Sequence, residues 1–151
     1  MPRSKLDPVA RDAWRAVLTG QAHVVRRVER ALADAELPPL SWYDVLWSLY
    51  KAPGRRLRIR HLADEVVLSP TGMSRLVDRV ESAGLLRREP CPDDRRGAYA
   101  VLTDEGLACL RRMWPVYEQV LTRTVAAALG DDAATVRDAL RRVADSAPAD
   151  A

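Results

Sequence analysis

The sequence predicts a mainly α-helical fold with one small β-hairpin. Apolar residues recur at helical spacing through most of the chain, which is the pattern of amphipathic helices. Two short extended segments enclose a polar Asp/Arg/Gly stretch near residues 93–97, which is typical of a hairpin turn. At 151 residues, with 48% apolar and 30% charged side chains, the chain can bury a core of its own. We therefore expect a single domain over residues 1–151.

Two helices are predicted in the N-terminal part. The first spans about residues 8–35 and ends at the sequence Glu36-Leu37-Pro38-Pro39. Ser41 is expected to cap the second helix, which ends before the turn Lys51–Gly54. The apolar stripes that predict these helices are Trp14, Val17, Leu18, Val25, Val28 and Leu32 in the first, and Val45, Leu46, Leu49 and Tyr50 in the second.

The central segment has the strongest local signals. After a short extended piece at 57–59, a third helix is expected at about 60–67, although no good capping residue precedes it. Ser69 is a strong N-cap and Pro70 suits the first position of a fourth helix. That helix has a buried stripe and ends at Gly84, which can adopt the left-handed conformation. The stripe consists of Met73, Leu76, Val77 and Val80.

A hairpin follows the fourth helix. Leu85-Leu86 begins a strand, and the sequence Asp93-Asp94-Arg95-Arg96-Gly97 predicts a polar turn with two arginines at its tip. A helix that exposes polar and basic residues beside a basic hairpin is typical of a winged helix-turn-helix, a DNA-binding module. We expect this lobe at residues 41–103.

The C-terminal part predicts two more helices. Thr103 or Asp104 begins a long one, in which Pro115 should bend the axis or loosen one turn. Gly130-Asp131-Asp132 then breaks the chain before a final helix. The inward side chains of the long helix are expected to be Leu107, Leu110, Met113, Tyr117, Val120, Leu121 and Val125. The apolar stripe of the last helix consists of Val136, Leu140 and Val143.

The terminal helices, at 8–35 and 104–145, predict a homodimer. They lie outside the helix-turn-helix, yet each carries an apolar face, and large exposed apolar patches usually mark interfaces. A two-fold dimer would place two recognition helices about 34 Å apart, one turn of DNA, and so bind a palindrome. The alternative is a monomeric bundle that buries these faces on itself.

The central third resembles the MarR family of bacterial transcription regulators. The residues that carry the resemblance are Leu62-Ala63, Ser69, the run Ser74–Arg79, Gly84-Leu85, Asp94-Arg95-Arg96 and Leu102–Gly106. The resemblance implies a winged helix-turn-helix core flanked by N- and C-terminal dimerisation helices. It also implies a repressor that a small aromatic acid or phenolic ligand releases from double-stranded DNA.

Each predicted DNA contact has a role. Arg75 is expected to contact a guanine edge, and Arg96 to enter the minor groove. In the resembling family the Asp-x-Arg pair of the wing has this role, so Asp94 is expected to orient the Arg96 guanidinium. Arg79 contacts phosphate or forms an ion pair with a neighbouring acid such as Asp78. The full predicted set is Ser69, Thr71, Gly72, Ser74, Arg75, Arg79, Asp94, Arg95 and Arg96.

The distribution of charge supports a nucleic-acid partner. Residues 55–96 contain 10 arginines and 7 acids, which is the whole net excess of +3, because the rest of the chain has 14 basic and 14 acidic residues. For any single arginine, a solvated helix face explains the charge equally well. Clustering on both the helix and the wing favours DNA.

The resemblance to the MarR family implies a ligand pocket between the dimer helices and the DNA-binding lobe. The candidate residues are Trp14, Arg15, His23, Trp42, Trp47 and Trp114. Indole walls with a cation suit an aromatic carboxylate. The alternative is that these tryptophans fill the core, since the chain has no Phe, and that His23 is an interior histidine. A cysteine near the start, typical of the peroxide-sensing branch, is absent; Cys91 lies among arginines, and Cys109 is expected to be buried.

The sequence gives no support to several other classes. Phosphate-binding loops, nucleophile elbows and metal-spaced His/Cys clusters are absent, so no enzyme activity, metal or cofactor is expected. Neither a membrane span nor a signal peptide is present, so the expected location is the cytoplasm. The competing function is a winged-helix module that contacts only proteins.

Overall fold

The computed structural model describes residues 6–66 and 70–146, apart from the side chains of Pro70 and Thr71. Its helices are α1 (Pro8–Asp34), α2 (Leu40–Lys51), α3 (Ile59–Glu65), α4 (Pro70–Ser82), α5 (Asp104–Leu121), the single turn α6 (Ala127–Leu129) and α7 (Ala133–Ala144). Its strands are β1 (Arg56–Arg58), β2 (Leu86–Cys91) and β3 (Asp94–Leu102). The mainly helical fold with a small wing is confirmed.

The three strands form one antiparallel sheet in the order β1-β3-β2. The hairpin turn differs from the prediction, because it lies at residues 92–93 and both arginines belong to the return strand. Pro90 faces Ala98 while Cys91 faces Asp94, so the residues 95–97 form an irregularity with no opposite partner. Local turn chemistry placed the polar segment correctly but could not fix the register of the two strands.

A single apolar core joins the helices to the sheet. The inward face of α4 is buried, and so are the inward side chains of the C-terminal half of α1 and of the first half of α5. The central side chains are Val28, Leu32, Leu46, Leu49, Leu62, Val77, Val80 and Met113. Among the described helices, none combines the length and apolar character needed to cross a membrane.

Two helix starts differ from the prediction. The second helix begins at Leu40, so Ser41 is inside it and does not cap it. A carboxylate oxygen of Glu29 accepts a hydrogen bond from the Leu40 N–H at 3.2 Å. This partner comes from α1, which a local pattern cannot reveal. Helix α3 begins at Ile59, one residue earlier than predicted, and ends at Glu65.

Helix α5 begins as predicted, with the Thr103 side chain accepting a hydrogen bond from the Gly106 N–H at 3.0 Å. The helix continues through Pro115, and the widened turn lies further along, as a π-helical turn at Thr122–Ala126. Gly130 has a φ of +47° and ends this long element, which confirms the predicted break. Of the expected inward residues, Val125 is instead exposed.

Candidate DNA interface

The fourth helix presents its predicted polar face to solvent. Gly72, Ser74, Arg75 and Arg79 are exposed, and the apolar stripe on the opposite side is buried. This division follows from helical periodicity, since the exposed and buried positions alternate every one or two residues. Ser69 lies outside the described residues, and so does the side chain of Thr71.

The wing is shaped by Asp94, although by a different contact from the one predicted. Its carboxylate accepts a hydrogen bond from the backbone N–H of Arg96 at 3.0 Å and does not bind the guanidinium. Gly97 allows this arrangement, because a Cβ there would lie 2.9 Å from an Asp94 carboxylate oxygen and 3.4 Å from the buried Cys91 sulfur. Asp94 therefore fixes the backbone from which the exposed Arg95 and Arg96 side chains project.

One groove of about 580 Å³ brings the helix and the wing together. Its walls include Ser74 of α4 and both Asp94 and Arg96 of the wing. Arg58 and Arg60, which were not among the predicted residues, line the same groove from β1 and α3. The groove thus gathers basic side chains from three separate segments of the chain.

Ion pairs divide the central arginines into two groups. Arg88 contacts Asp78 at 2.6 Å and also pairs with Glu81, and its hydrogen bond to Asp78 raises the pKa of its guanidinium. Arg87 pairs with Glu89 at 2.8 Å. These two arginines are neutralised within the fold, which argues against phosphate contacts through their guanidinium groups.

The predicted DNA-contacting arginines belong to the second group. Arg75, Arg79, Arg95 and Arg96 have no carboxylate within 4.0 Å in the part of the chain that the structure describes. The ion pair considered between Arg79 and Asp78 is not formed, because Asp78 faces Arg88 on the neighbouring strand. The four guanidinium groups are therefore available to an external anion.

A cation–aromatic cluster on the sheet was not predicted. The guanidinium carbons of Arg56 and Arg58 lie 4.8 and 5.7 Å from the centre of the Tyr99 ring. The residues share a face because Arg58 is directly opposite Tyr99 in the β1–β3 register and Arg56 is two residues away. The spacing Arg56-x-Arg58 is visible in the sequence, but the position of Tyr99 beside these arginines follows only from the pairing of β1 with β3.

Two of the predicted ligand-binding residues meet in an aromatic cluster. The rings of Trp47 and Trp114 are stacked with their centres 5.6 Å apart, and Tyr43 lies 4.5 Å from Tyr117 beside them. Burial raises the pKa of the Tyr43 and Tyr117 hydroxyl groups. Tyr50 joins the outer side of the Trp47 ring at 5.7 Å. Stacked, partly exposed rings of this kind can hold a flat apolar group.

The other predicted ligand-binding residues lie elsewhere. Trp14 is 56% exposed near the start of α1, and Arg15 beside it is also exposed. Trp42 packs against the core, and no ring contact joins it to the cluster among the described residues. His23 is exposed, so the interpretation of it as an interior histidine is wrong. It lies five residues before the buried Val28 and hence about 140° around the helix.

Comparison with known proteins gives a consistent result. A family model described as MarR family matches residues 37–97. The chain is similar to Sco3205 from Streptomyces coelicolor, a MarR family transcriptional regulator solved in complex with DNA, with 32% identity and a TM-score of 0.85 over 96% of this chain and 91% of that one. It is also similar to AbsC, a MarR family transcriptional regulator from the same organism, with 31% identity and a TM-score of 0.82 over 94% and 96% of the two chains.

A third similar structure contains a ligand. It is the PcaV transcriptional regulator from Streptomyces coelicolor in complex with its natural ligand, with 28% identity and a TM-score of 0.72 over 96% of this chain and 99% of that one. The matches to Sco3205 and AbsC extend over nearly the full length of all the chains compared. This chain therefore belongs to the MarR family of DNA-binding transcription regulators, which are not enzymes.

Proposed function

We propose that this chain is a homodimeric repressor that binds a palindromic operator and is released from it by a small ligand. The observation that carries the DNA-binding part is the groove shared by Ser74 and Arg96, with Arg75 and Arg79 unpaired on the adjacent helix face. Helix residues would contact base edges, and Arg96 would enter the minor groove. The DNA complex of Sco3205 supports this assignment.

Fluorescence anisotropy tests the proposal directly. Purified protein is titrated into labelled DNA from upstream of its own gene, at low and physiological salt, with a scrambled duplex as competitor. We expect tight binding that resists the competitor and weakens steeply with salt, because phosphate contacts release counterions. Equal, weak binding to both duplexes would contradict specific recognition of this DNA and favour a module that contacts only proteins.

The dimer would be built by the terminal helices, 8–35 and 104–145, with residues 41–103 as the DNA-binding lobe. Val9, Trp14 and Leu18 of α1 are exposed, as are Leu140 and Val143 of α7. A second copy would cover these side chains, since exposed apolar patches of this extent favour association. Leu18→Glu should shift sedimentation towards the monomer, whereas Thr19→Glu, on an exposed neighbour, should not.

The aromatic cluster supports a small aromatic ligand. Trp47 and Trp114 provide a stacked pair, and the Lys51 ammonium lies 5.9 Å from the centre of the Trp47 ring. A ligand wedged here would contact both α2 of the DNA-binding lobe and α5 of the dimer helices. An aromatic acid that displaces DNA from the wild type should lose this effect in Trp114→Leu and keep it in Arg15→Gln, which changes an exposed residue outside the cluster. Equal sensitivity of both variants would refute the assignment.

A further inference from the structure

A second, chemically different cleft lies between α1 and the end of α5. It has a volume of about 490 Å³, which is within the range of small-molecule sites. One wall is the flank of α1, and the other comes from α5 and the π-helical turn that follows. The residues around it are His23, Arg26, Arg27, Arg30, Ala31, Asp34, Gln119, Val120, Arg123 and Thr124.

The cleft is strongly positive. Four guanidinium groups and one carboxylate, that of Asp34, give it a formal charge of +3. None of these arginines has a carboxylate within 4.0 Å in the described part of the chain. The Arg27 guanidinium lies 3.5 Å from the His23 imidazole, which is not an acid. Arg26 and Arg30 are four residues apart on α1, and like charges at this spacing repel each other unless an anion binds between them.

The second wall has a local distortion at the cleft. Arg123 and Thr124 belong to the π-helical turn Thr122–Ala126, and such turns occur frequently at functional sites. The Thr124 hydroxyl donates to the Val120 carbonyl at 2.7 Å, which leaves its oxygen free to accept. Arg123 faces the α1 arginines from this turn, so basic groups approach the cleft from two directions.

The lining distinguishes this cleft from the aromatic cluster. Ala31 and Val120 are its only apolar side chains among the described residues, and the His23 imidazole is the only ring among the described side chains that line it. It therefore offers little to a flat apolar ligand and much to several negative charges. Paired guanidinium groups bind carboxylate and phosphate oxygens through bidentate hydrogen bonds.

The cleft also faces away from the apolar surface that a second copy would cover. Trp14 and His23 are nine residues apart, and so are Leu18 and Arg27. Nine residues correspond to about two and a half helical turns, which places each pair on opposite sides of α1. A dimer formed through Trp14 and Leu18 would thus leave His23 and Arg27 open to solvent.

We propose that this cleft binds a small organic polyanion with two or three carboxylate or phosphate groups. The site is separate from the DNA interface and from the aromatic cluster, and its test needs no DNA. The α1 wall of the cleft is visible in the sequence, as the spacing His23-x-x-Arg26-Arg27-x-x-Arg30. The opposite wall, with Arg123 and Thr124, depends on the packing of α5 against α1.

Isothermal titration calorimetry with citrate and with pyrophosphate tests the proposal, and the two probes distinguish carboxylate from phosphate chemistry. Acetate at matched ionic strength is the monovalent control. We expect at least one polyanion to bind once per chain and more tightly than acetate. The double variant Arg27→Gln/Arg123→Gln should weaken this binding by at least about tenfold, because two charge-assisted contacts are lost. Arg111→Gln removes an exposed charge from α5 outside the cleft, and should bind as the wild type does.

Three calorimetric results would overturn the proposal. Neither polyanion binds more tightly than acetate, or the Arg27/Arg123 variant retains wild-type affinity, or Arg111→Gln weakens binding as much as the double variant. Sedimentation of the same proteins tests whether a second copy of the chain, and not a small ligand, occupies the cleft. If the double variant changes the monomer–dimer equilibrium, the cleft is a contact for acidic residues of a second copy and not a ligand site.

Discussion

Gly106 lies at the junction where the wing returns to the first turn of α5, and replacing it by alanine should destabilise the fold. A Cβ at this position would be 2.0 Å from the Leu85 carbonyl oxygen and 2.8 Å from a methyl group of Leu102. The Leu85 carbonyl is held in place, since it accepts a hydrogen bond from the Thr103 N–H at 3.2 Å. The Thr103 hydroxyl also donates to the Gly84 carbonyl at 2.6 Å.

The expected magnitude follows from these distances. An ordinary contact would be 3.4–4 Å, so the Leu85 backbone and α5 must separate by more than an ångström. Forcing extra volume into a packed site costs about 1–3 kcal/mol, and loss of the Thr103–Leu85 hydrogen bond adds about 1 kcal/mol. The higher helix propensity of alanine offsets up to about 1 kcal/mol of this destabilisation. We therefore expect Gly106→Ala to lower the free energy of unfolding by about 1–3 kcal/mol.

Urea unfolding at one fixed protein concentration measures this change, because the stability of a dimer depends on concentration. Gly20→Ala is the matched control, since a Cβ at this exposed position in α1 would meet no atom within 4 Å. The control should be as stable as the wild type or slightly more stable. If Gly106→Ala unfolds at the wild-type urea concentration, then α5 and Leu85 do not approach each other as described.

Three further predictions follow, two on the DNA interface and one on Asp44, a partly buried acid. Arg96→Ala should abolish most operator affinity and should lower by about one the slope of log affinity against log salt concentration. Arg87→Ala removes a residue that is already paired with Glu89, and it should change neither the affinity nor the slope. Arg75→Ala should reduce the preference for operator over scrambled DNA in competition anisotropy, with unchanged sedimentation. Burial, reinforced by Glu29, raises the pKa of Asp44, so the folded state holds its proton more tightly. Stability is then lost as pH rises from about 4 through the folded pKa, and Asp44→Asn should raise the urea midpoint at pH 7 but not at about pH 3.

The elements that depend on local chemistry could be predicted from the sequence. Helix α1 occupies nearly the expected range, Thr103 caps α5 through its hydroxyl, and Gly84 has a φ of +74° at the end of α4. In each case the deciding interaction is formed between residues a few positions apart. Hydrophobic periodicity also identified the buried side of α4, because a helix that packs on one side must repeat its apolar residues every three or four positions.

The remaining features depend on contacts between distant segments. Glu29 binds the start of α2, and no pattern around Ser41 reveals that partner. The pairing of β2 with β3 sets the register of the wing, and it places Arg96 in the strand, whereas the sequence predicts it in the turn. The apolar neighbours of His23 favour an interior position as the alternative to ligand binding, yet its own position on the helix faces solvent. Local sequence gives the type of an element more reliably than the surroundings of one side chain.

Ion pairing shows most clearly why counting charges is insufficient to locate the DNA interface. Residues 55–96 contain the net positive charge of the chain, but Arg87 and Arg88 are bound to acids within the fold. Arg75 and Arg96 belong to the same segment and are unpaired in the described structure. A paired guanidinium would have to break an existing contact before it could bind phosphate, whereas an unpaired one exchanges only water and counterions. The operator should therefore be held by the unpaired arginines, even where paired ones lie within reach of the same duplex.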